Sequence, residues 1–291
     1  MNVLSLFDGA SCAMVCLKRA GIPIENYYGA DIKKCAIRCE ELISKYYGVN
    51  HIQLGDVTKI DYSTLPKIDL LCAGFPCQDY SVVNSRKQGI DGKNGQLFWE
   101  VVRAIKAVNP KYIILENVTT IPDETLKLIQ RESGCFENRI VDPVELGWAT
   151  RRKRIFFTNW LDWTDQPVPR ETRETLAELL DDDAKGVLNR SRDTIVYSDK
   201  EIATLVQNQP TRAGEGVLVL TNDPSKTPYK RKKIESVFDA GYTAFRCPTQ
   251  AELARFHTYP VEIMEQFSPA QAQSLMGDGG IVGQFNGYSI S

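Results

Sequence analysis

Asp69-Leu70-Leu71-Cys72-Ala73-Gly74-Phe75-Pro76-Cys77-Gln78-Asp79-Tyr80-Ser81 is the stretch that decides how this chain folds. From Leu70 to Ala73 it is wholly apolar, and a glycine stops it. That is the pattern of a strand buried on both faces of a parallel sheet. In open α/β sheets the reactive groups sit just past the carboxyl ends of such strands, and Cys77 lands on that edge. The plainer alternative is an inert buried thiol, since free cysteine is among the most buried residue types.

The residues before this stretch supply the rest of a sheet. Residues 2–7 read as a strand, and helical spacing runs from Cys12 to about Ala20, closed by Gly21. Tyr27 to Ala30 is a second strand ending in Asp31, Ile32 to Tyr47 a helix, and His51 to Leu54 a third strand closed by Gly55-Asp56. Alternation at this spacing predicts an α/β fold with a doubly wound, mostly parallel sheet. Three strands end in polar turns: Phe7-Asp8-Gly9, Asp31 and Asp56. A carboxylate about twenty residues beyond a glycine turn suits a ribose hydroxyl pair, and one after the third strand suits an adenine amino group. Each is individually also a helix cap or turn residue; at one sheet edge together they favour an adenosine-type cofactor. The first turn lacks a Gly-x-Gly-x-x-Gly cradle, which argues against a pyrophosphate-bearing dinucleotide.

Past Cys77 lies a polar stretch from Val82 to Gln96, with Arg86, Lys87 and Lys93 among glycines at 89, 92 and 95. Leu97 to Val108 is spaced as a helix. Tyr112 to Leu115 is another buried strand, and it ends in Glu116-Asn117-Val118, so Glu116 is expected on the same edge as Cys77. A strand over Ile155–Trp160 is preceded by Arg151-Arg152-Lys153-Arg154. These cations fit a solvated edge, or, with Arg152 and Arg154 alternating to one side, a shared anionic or carbonyl target. Beyond Trp160 the composition changes. Arg170 to Asp183 is an acidic helix candidate with a thin apolar face. Lys185 to Tyr242 holds few periodic elements besides the β-rich run Gly216–Leu220 and the basic segment Lys226–Lys233, which fits a solvated surface or a nucleic-acid contact. Arg246 to Tyr259 returns to amphipathic helix, and Ser268 to Ser291 is glycine-rich without a strong closing helix. The expected domains are 1–163, catalytic and cofactor-binding; 164–245, a smaller recognition domain; and 246–291, a return to the first.

Bulk properties narrow the function classes. A chain of 291 residues with a net charge of −2 holds two domains and neither demands nor excludes nucleic acid. No stretch approaches a membrane span, and the start lacks the layout of a signal peptide. Eight cysteines are too sparse for a disulfide scaffold. None forms a Cys-x-x-Cys pair, and His51 and His257 are far apart, so no metal site is expected. A cytoplasmic protein in a reducing compartment, not bound to a membrane, is expected.

The ordered set Phe7-Asp8-Gly9, Asp31, Asp56, Gly74-Phe75-Pro76-Cys77-Gln78, Glu116-Asn117-Val118 and Arg152-Lys153-Arg154 resembles the DNA cytosine 5-methyltransferases, most of all their compact phage and prophage members. The match resumes at Arg246-Cys247-Pro248-Thr249-Gln250-Ala251-Glu252 and Arg255–Pro260. The resemblance implies a Rossmann-like S-adenosylmethionine-dependent methyltransferase with a target-recognition domain, acting as a monomer on double-stranded DNA. It implies Cys77 as the thiolate that adds to carbon 6 of a flipped-out cytosine, and Glu116, buried enough for its pKa to rise, as the group that protonates ring nitrogen 3. Arg152 and Arg154 would bind the base carbonyl and support the Cys77 loop. Phe7, Asp8, Gly9, Ala10, Asp31, Ile32, Asp56, Val57, Pro76, Leu97, Asp278 and Gly279 would surround the cofactor. Gln78, Ser81, Arg86, Lys230, Arg231 and Lys232 would contact DNA. Two positions depart from the family pattern: Thr150 stands where the arginine motif opens with Gln, and Gly277-Asp278-Gly279-Gly280 where Asn is usual. A like charge ~4 Å away at an effective dielectric of about 20 is worth roughly 4 kcal/mol before screening. Asp278 therefore keeps open a modified S-adenosylmethionine derivative carrying a different group; an RNA cytosine substrate is the other alternative.

Overall fold

The computed structural model describes residues 1–76, 96–160, 174–181, 184, 186–189, 194–197, 217–223, 225, 227–228 and 241–278. Cys77, Gln78, Ser81, Arg86, Lys230, Arg231, Lys232 and Gly279, with the side chain of Asp278, lie outside the described residues. The chain packs as two units. Among the described residues, the first comprises 1–141 and 153–160; the second comprises 142–152 and the described part of 174–278. This division groups 246–278 with the second unit.

The first unit is built on a seven-stranded sheet. Its strands are β1 (Asn2–Leu6), β2 (Asn26–Ala30), β3 (Asn50–Gln53), β4 (Leu70–Ala73), β5 (Tyr112–Val118), β6 (Glu137–Val141) and β7 (Arg154–Thr158), in the order β3-β2-β1-β4-β5-β7-β6. The first five neighbours run parallel; β7 is antiparallel to both β5 and β6. The mostly parallel α/β sheet expected from sequence is therefore present. All four residues of β4 are buried, as a strand covered on both faces requires. Helices α1 (Cys12–Arg19), α2 (Lys34–Tyr47), α3 (Leu97–Val108) and α4 (Asp123–Ser133) connect the strands. Phe98, Val101, Val102 and Ala104 of α3 join Leu4, Leu6, Leu71, Ile113, Leu115 and Phe157 in one core. Burying one such side chain contributes about 2 kcal/mol, so α3 is firmly seated.

Because β1 pairs with both β2 and β4, the strand order reverses at β1. Ligands of doubly wound sheets bind outside the carboxyl ends of strands at this switch point. Here those ends carry Phe7–Ser11 and Gly74–Pro76.

The second unit has its own antiparallel sheet of β8 (Gly186–Asn189), β9 (Thr194–Tyr197), β10 (Val217–Thr221), β11 (Thr227–Pro228) and β12 (Ala244–Arg246), ordered β11-β12-β10-β8-β9. Leu188, Leu218 and Leu220 form its apolar cluster, with Tyr242 and Phe245 against it. Helices α5 (Leu176–Leu179), α6 (Gln250–His257), α7 (Val261–Met264) and α8 (Pro269–Asp278) complete it.

Several elements differ from the sequence expectations. The second helix starts at Lys34, because Asp31 turns the chain first: its Oδ1 accepts from the Lys33 amide at 2.8 Å. Within Arg170–Asp183 the described helix is the four-residue α5, since three leucines over so short a span anchor one turn. A stretch expected to lack a closing helix forms α8, with Ala272, Leu275 and Met276 buried at helical spacing. Arg152 precedes β7 rather than alternating within it.

Candidate active site

The order β3-β2-β1-β4-β5 lays five chain segments in one row along the carboxyl edge of the first unit's sheet: Asp56-Val57, Asp31-Ile32, Phe7–Ser11, Gly74–Pro76 and Glu116. The turn after β1 is backbone-strained. Phe7, Gly9 and Ser11 have φ of 57°, 59° and 56°, a region costing non-glycine residues about 1–2 kcal/mol each. Two carboxylates hold it. The buried Asp8 receives hydroxyl donors from Ser5 and Tyr27 on Oδ1 and from Ser11 (2.7 Å) on Oδ2. Its own amide donates to the Ala30 carbonyl at 3.2 Å. Asp31 accepts the Gly9 amide on Oδ2 at 3.0 Å. Burial pushes the Asp8 carboxyl up to about 6, against the lowering effect of its three hydroxyl donors. Asp8 thus faces into the fold as the support of the turn, whereas Asp31 stands at its rim.

Ile32, beside Asp31, is 72% exposed, an apolar side chain left uncovered at the mouth of this turn. Ala10 and Val57 are buried, and Leu97 packs against the core. Asp56 begins a one-turn 3₁₀ helix, Val57–Lys59, and its Oδ1 accepts the Thr58 amide (3.0 Å) and hydroxyl (2.8 Å). Those donors, the amide first, hold its carboxyl below the usual range.

At the other end of the row, Glu116 and Arg154 form an ion pair, with Arg154 Nε 2.9 Å from Glu116 Oε1. The Glu116 side chain is 30% exposed. The chain passes close by: a Cβ placed on Gly74 would come within 3.3 Å of Glu116 Oε2. Buried Asn117 donates from Nδ2 to the Phe75 carbonyl at 3.1 Å, tying the segment just before Cys77 to β5. The Phe75 ring is itself buried against Phe98, with centroids 5.3 Å apart. Glu116, Gly74 and Pro76 therefore share one edge, on the same unit as the turns at Phe7–Ser11, Asp31 and Asp56. In the second unit, Arg152 is buried and donates from Nη2 to the Gly277 carbonyl at 3.1 Å.

Sequence reasoning did not single out the supports: Ser5, Ser11 and Tyr27 under Asp8, Asn117 under Phe75, and a trio formed by the buried Glu40 of α2 with His51 and Gln53 of β3. In that trio Glu40 accepts from Gln53 and contacts His51 Nε2 at 3.0 Å. Burial pushes the Glu40 carboxyl up to about 10 and lowers His51. A Cβ on Gly29 would sit 2.7 Å from Glu40 Oε2, so glycine at mid-strand was the available signal. Among the described residues no helix is long and apolar enough to cross a membrane, and no group of three or more His, Cys, Asp or Glu side chains is placed to hold a metal ion.

Known proteins resemble this chain. The chain is 25% identical to the type II methyltransferase M.MspI of Moraxella sp. over 252 residues, which cover 81% of this chain and 59% of that protein. It is 36% identical to the orphan methyltransferase M.Rho11sI of Bacillus phage rho11s over 118 residues, covering 40% and 23%. The chain spans less than two thirds of the length of these relatives. Its fold is that of the Entamoeba histolytica methyltransferase EhMeth, with a TM-score of 0.74 over 98% of this chain and 95% of that one at 16% identity. The family model for C-5 cytosine-specific DNA methylases matches residues 1–278, and the chain belongs to that family.

Proposed function

We propose that this protein transfers a methyl group from S-adenosylmethionine to carbon 5 of cytosine in double-stranded DNA. The observation that carries the reading is the Arg154–Glu116 pair beside Gly74, on the sheet edge that two strands away carries the strained Phe7–Ser11 turn. The residues of that row fit an adenosyl donor. Asp31 offers carboxylate acceptors to ribose hydroxyls, Ile32 an uncovered apolar side chain to the adenine, and Asp56 with Val57 the adenine edge. When bound, S-adenosylmethionine would supply an electrophilic methyl on sulfur.

The chain's own residues do the rest. Cytosine carbon 5 is a poor nucleophile until a thiolate adds at carbon 6, which makes the ring an enamine. Cys77, one residue past Pro76, is the group for that addition. Glu116 holds ring nitrogen 3 and shares a proton with it, and Arg154, already paired with Glu116, reaches for the base carbonyl. After methyl transfer, loss of the carbon-5 proton and departure of the thiolate restore the aromatic ring. Gln78, Ser81, Arg86 and the Lys230–Lys232 segment serve the DNA, and the flipped base costs a few kcal/mol to extrude.

The test is to incubate the protein with methyl-deuterated S-adenosylmethionine and either duplex DNA or transfer RNA, digest to nucleosides, and weigh them. Labelled 5-methyldeoxycytidine in DNA alone is expected. Label confined to RNA overturns the substrate, and a cytosine adduct of another mass overturns the transferred group.

A further inference from the structure

We propose that Arg103 is a positioning residue for the adenine end of the cofactor site, clamping the segment that carries Asp56 and Val57 to α3; this rests on the function proposed above. The segment after β3 is capped by Asp56 and Asp61 and buries Val57, Ile60 and Tyr62 in the core. It consists of two single turns of 3₁₀ helix, Val57–Lys59 and Tyr62–Thr64, joined by Ile60 and Asp61. Such turns have poor internal hydrogen-bond geometry. Arg103 adds a tie from this segment to α3. Its Nη2 donates to the Val57 carbonyl at 2.8 Å and its Nη1 to the Ile60 carbonyl at 3.0 Å. The guanidinium carbon lies 4.6 Å from the centre of the Tyr62 ring. Nε is fixed by Glu100 Oε2 at 2.7 Å, one helical turn back. A planar fork with five donors does this; an ammonium does not.

The direction of control follows from the packing. Helix α3 is anchored by Phe98, Val101, Val102 and Ala104, and Leu97 opens it. One rigid helix thus sets two parts of the pocket: Leu97 directly, and Val57 through the Arg103 fork. Losing two hydrogen bonds to carbonyls corresponds to about a tenfold change in a binding constant.

The experiment compares wild type, Arg103→Lys and Arg103→Ala by calorimetric titration with S-adenosylmethionine and with adenosine, and by steady-state methylation. The expected result for Arg103→Ala is about tenfold weaker binding of both ligands, with KM for the donor raised in step and kcat at saturating donor within about twofold. Arg103→Lys is expected to recover part of the affinity through one carbonyl, and it carries the test if Arg103→Ala does not fold. Unchanged donor affinity in the lysine variant, a loss seen for S-adenosylmethionine but not adenosine, or a fall confined to kcat overturns the clamp. Wild-type protein that binds no S-adenosylmethionine overturns the proposed function, and this assignment with it.

Discussion

Glu116 and Arg154 are diagonal neighbours on one face of an antiparallel strand pair: Arg154 lies opposite Val118, and Glu116 is two residues back along β5. Long side chains at such diagonal positions reach one another, and these two meet at 2.9 Å. Strand register, not loop geometry, fixes the pair, so both groups are already held on one face of the sheet.

Removing either member is expected to remove turnover. Glu116→Gln keeps the shape but cannot exchange a proton at ring nitrogen 3, so single-turnover methylation should fall by about 10²–10⁴-fold. Arg154→Lys keeps the charge and loses the fork, and should fall less than Arg154→Ala. Rapid-quench assays at saturating donor check both, and a Glu116→Gln rate near wild type contradicts the assignment.

Asp8 is expected to act through the turn it supports. Asp8→Ala leaves the hydroxyls of Ser5, Ser11 and Tyr27 without their shared acceptor, a loss of about 1–3 kcal/mol in folding free energy. It also frees Phe7 and Ser11 from their left-handed conformation, so donor affinity should fall as well. Urea unfolding and donor titration measure the two effects separately.

The parts of this site that were legible in the sequence are those fixed by local pattern. A buried run ending in glycine marks β4, and Glu116 follows a similar run, so both edges could be placed without knowing what lies between. The supports were not legible, because Ser5, Tyr27 and Asp8 meet through strand pairing that no local period records. Helix α4 escaped notice since only Ile129 and Ser133 are buried on it, too few to set up an apolar stripe. The edge strand β6 alternates exposed Asn138 and Ile140 with half-buried Glu137 and Arg139 and buries only Val141, a weak signal. In the second unit, β10 pairs with both β8 and β12, a register set between distant short runs.

Glu40 predicts a pH dependence. Burial raises its folded-state pKa from 4.5 to about 10. Between those values the folded protein keeps a proton that the unfolded chain has lost. Stability is therefore greatest below the unfolded value and declines as pH rises towards the folded one, by up to about 1.4 kcal/mol per pH unit. Glu40→Gln keeps an acceptor for Gln53 without the titration. The urea midpoint of the variant is expected to gain on wild type steadily from pH 7 to 9.5; midpoints that fall in parallel contradict the protonated acid.

The second unit has its own weak point. Glu252 is fully buried and accepts both terminal nitrogens of Arg246, at 2.6 and 2.8 Å, together with the amides of Thr249 and Asp181. Glu252→Ala strands the Arg246 charge and should cost about 3–5 kcal/mol. Hydrogen exchange should report the loss in residues 244–257 before β1 and β4 are affected.

The most direct test of the account is covalent capture on duplex DNA containing 5-fluorodeoxycytidine, where carbon 5 has no proton to lose after methyl transfer. The account predicts a denaturant-stable protein–DNA adduct that requires S-adenosylmethionine, maps to Cys77 by peptide mass, and disappears in Cys77→Ser. An adduct on another residue, or accumulation of 5-methylcytosine by the Cys77→Ser protein, would contradict it.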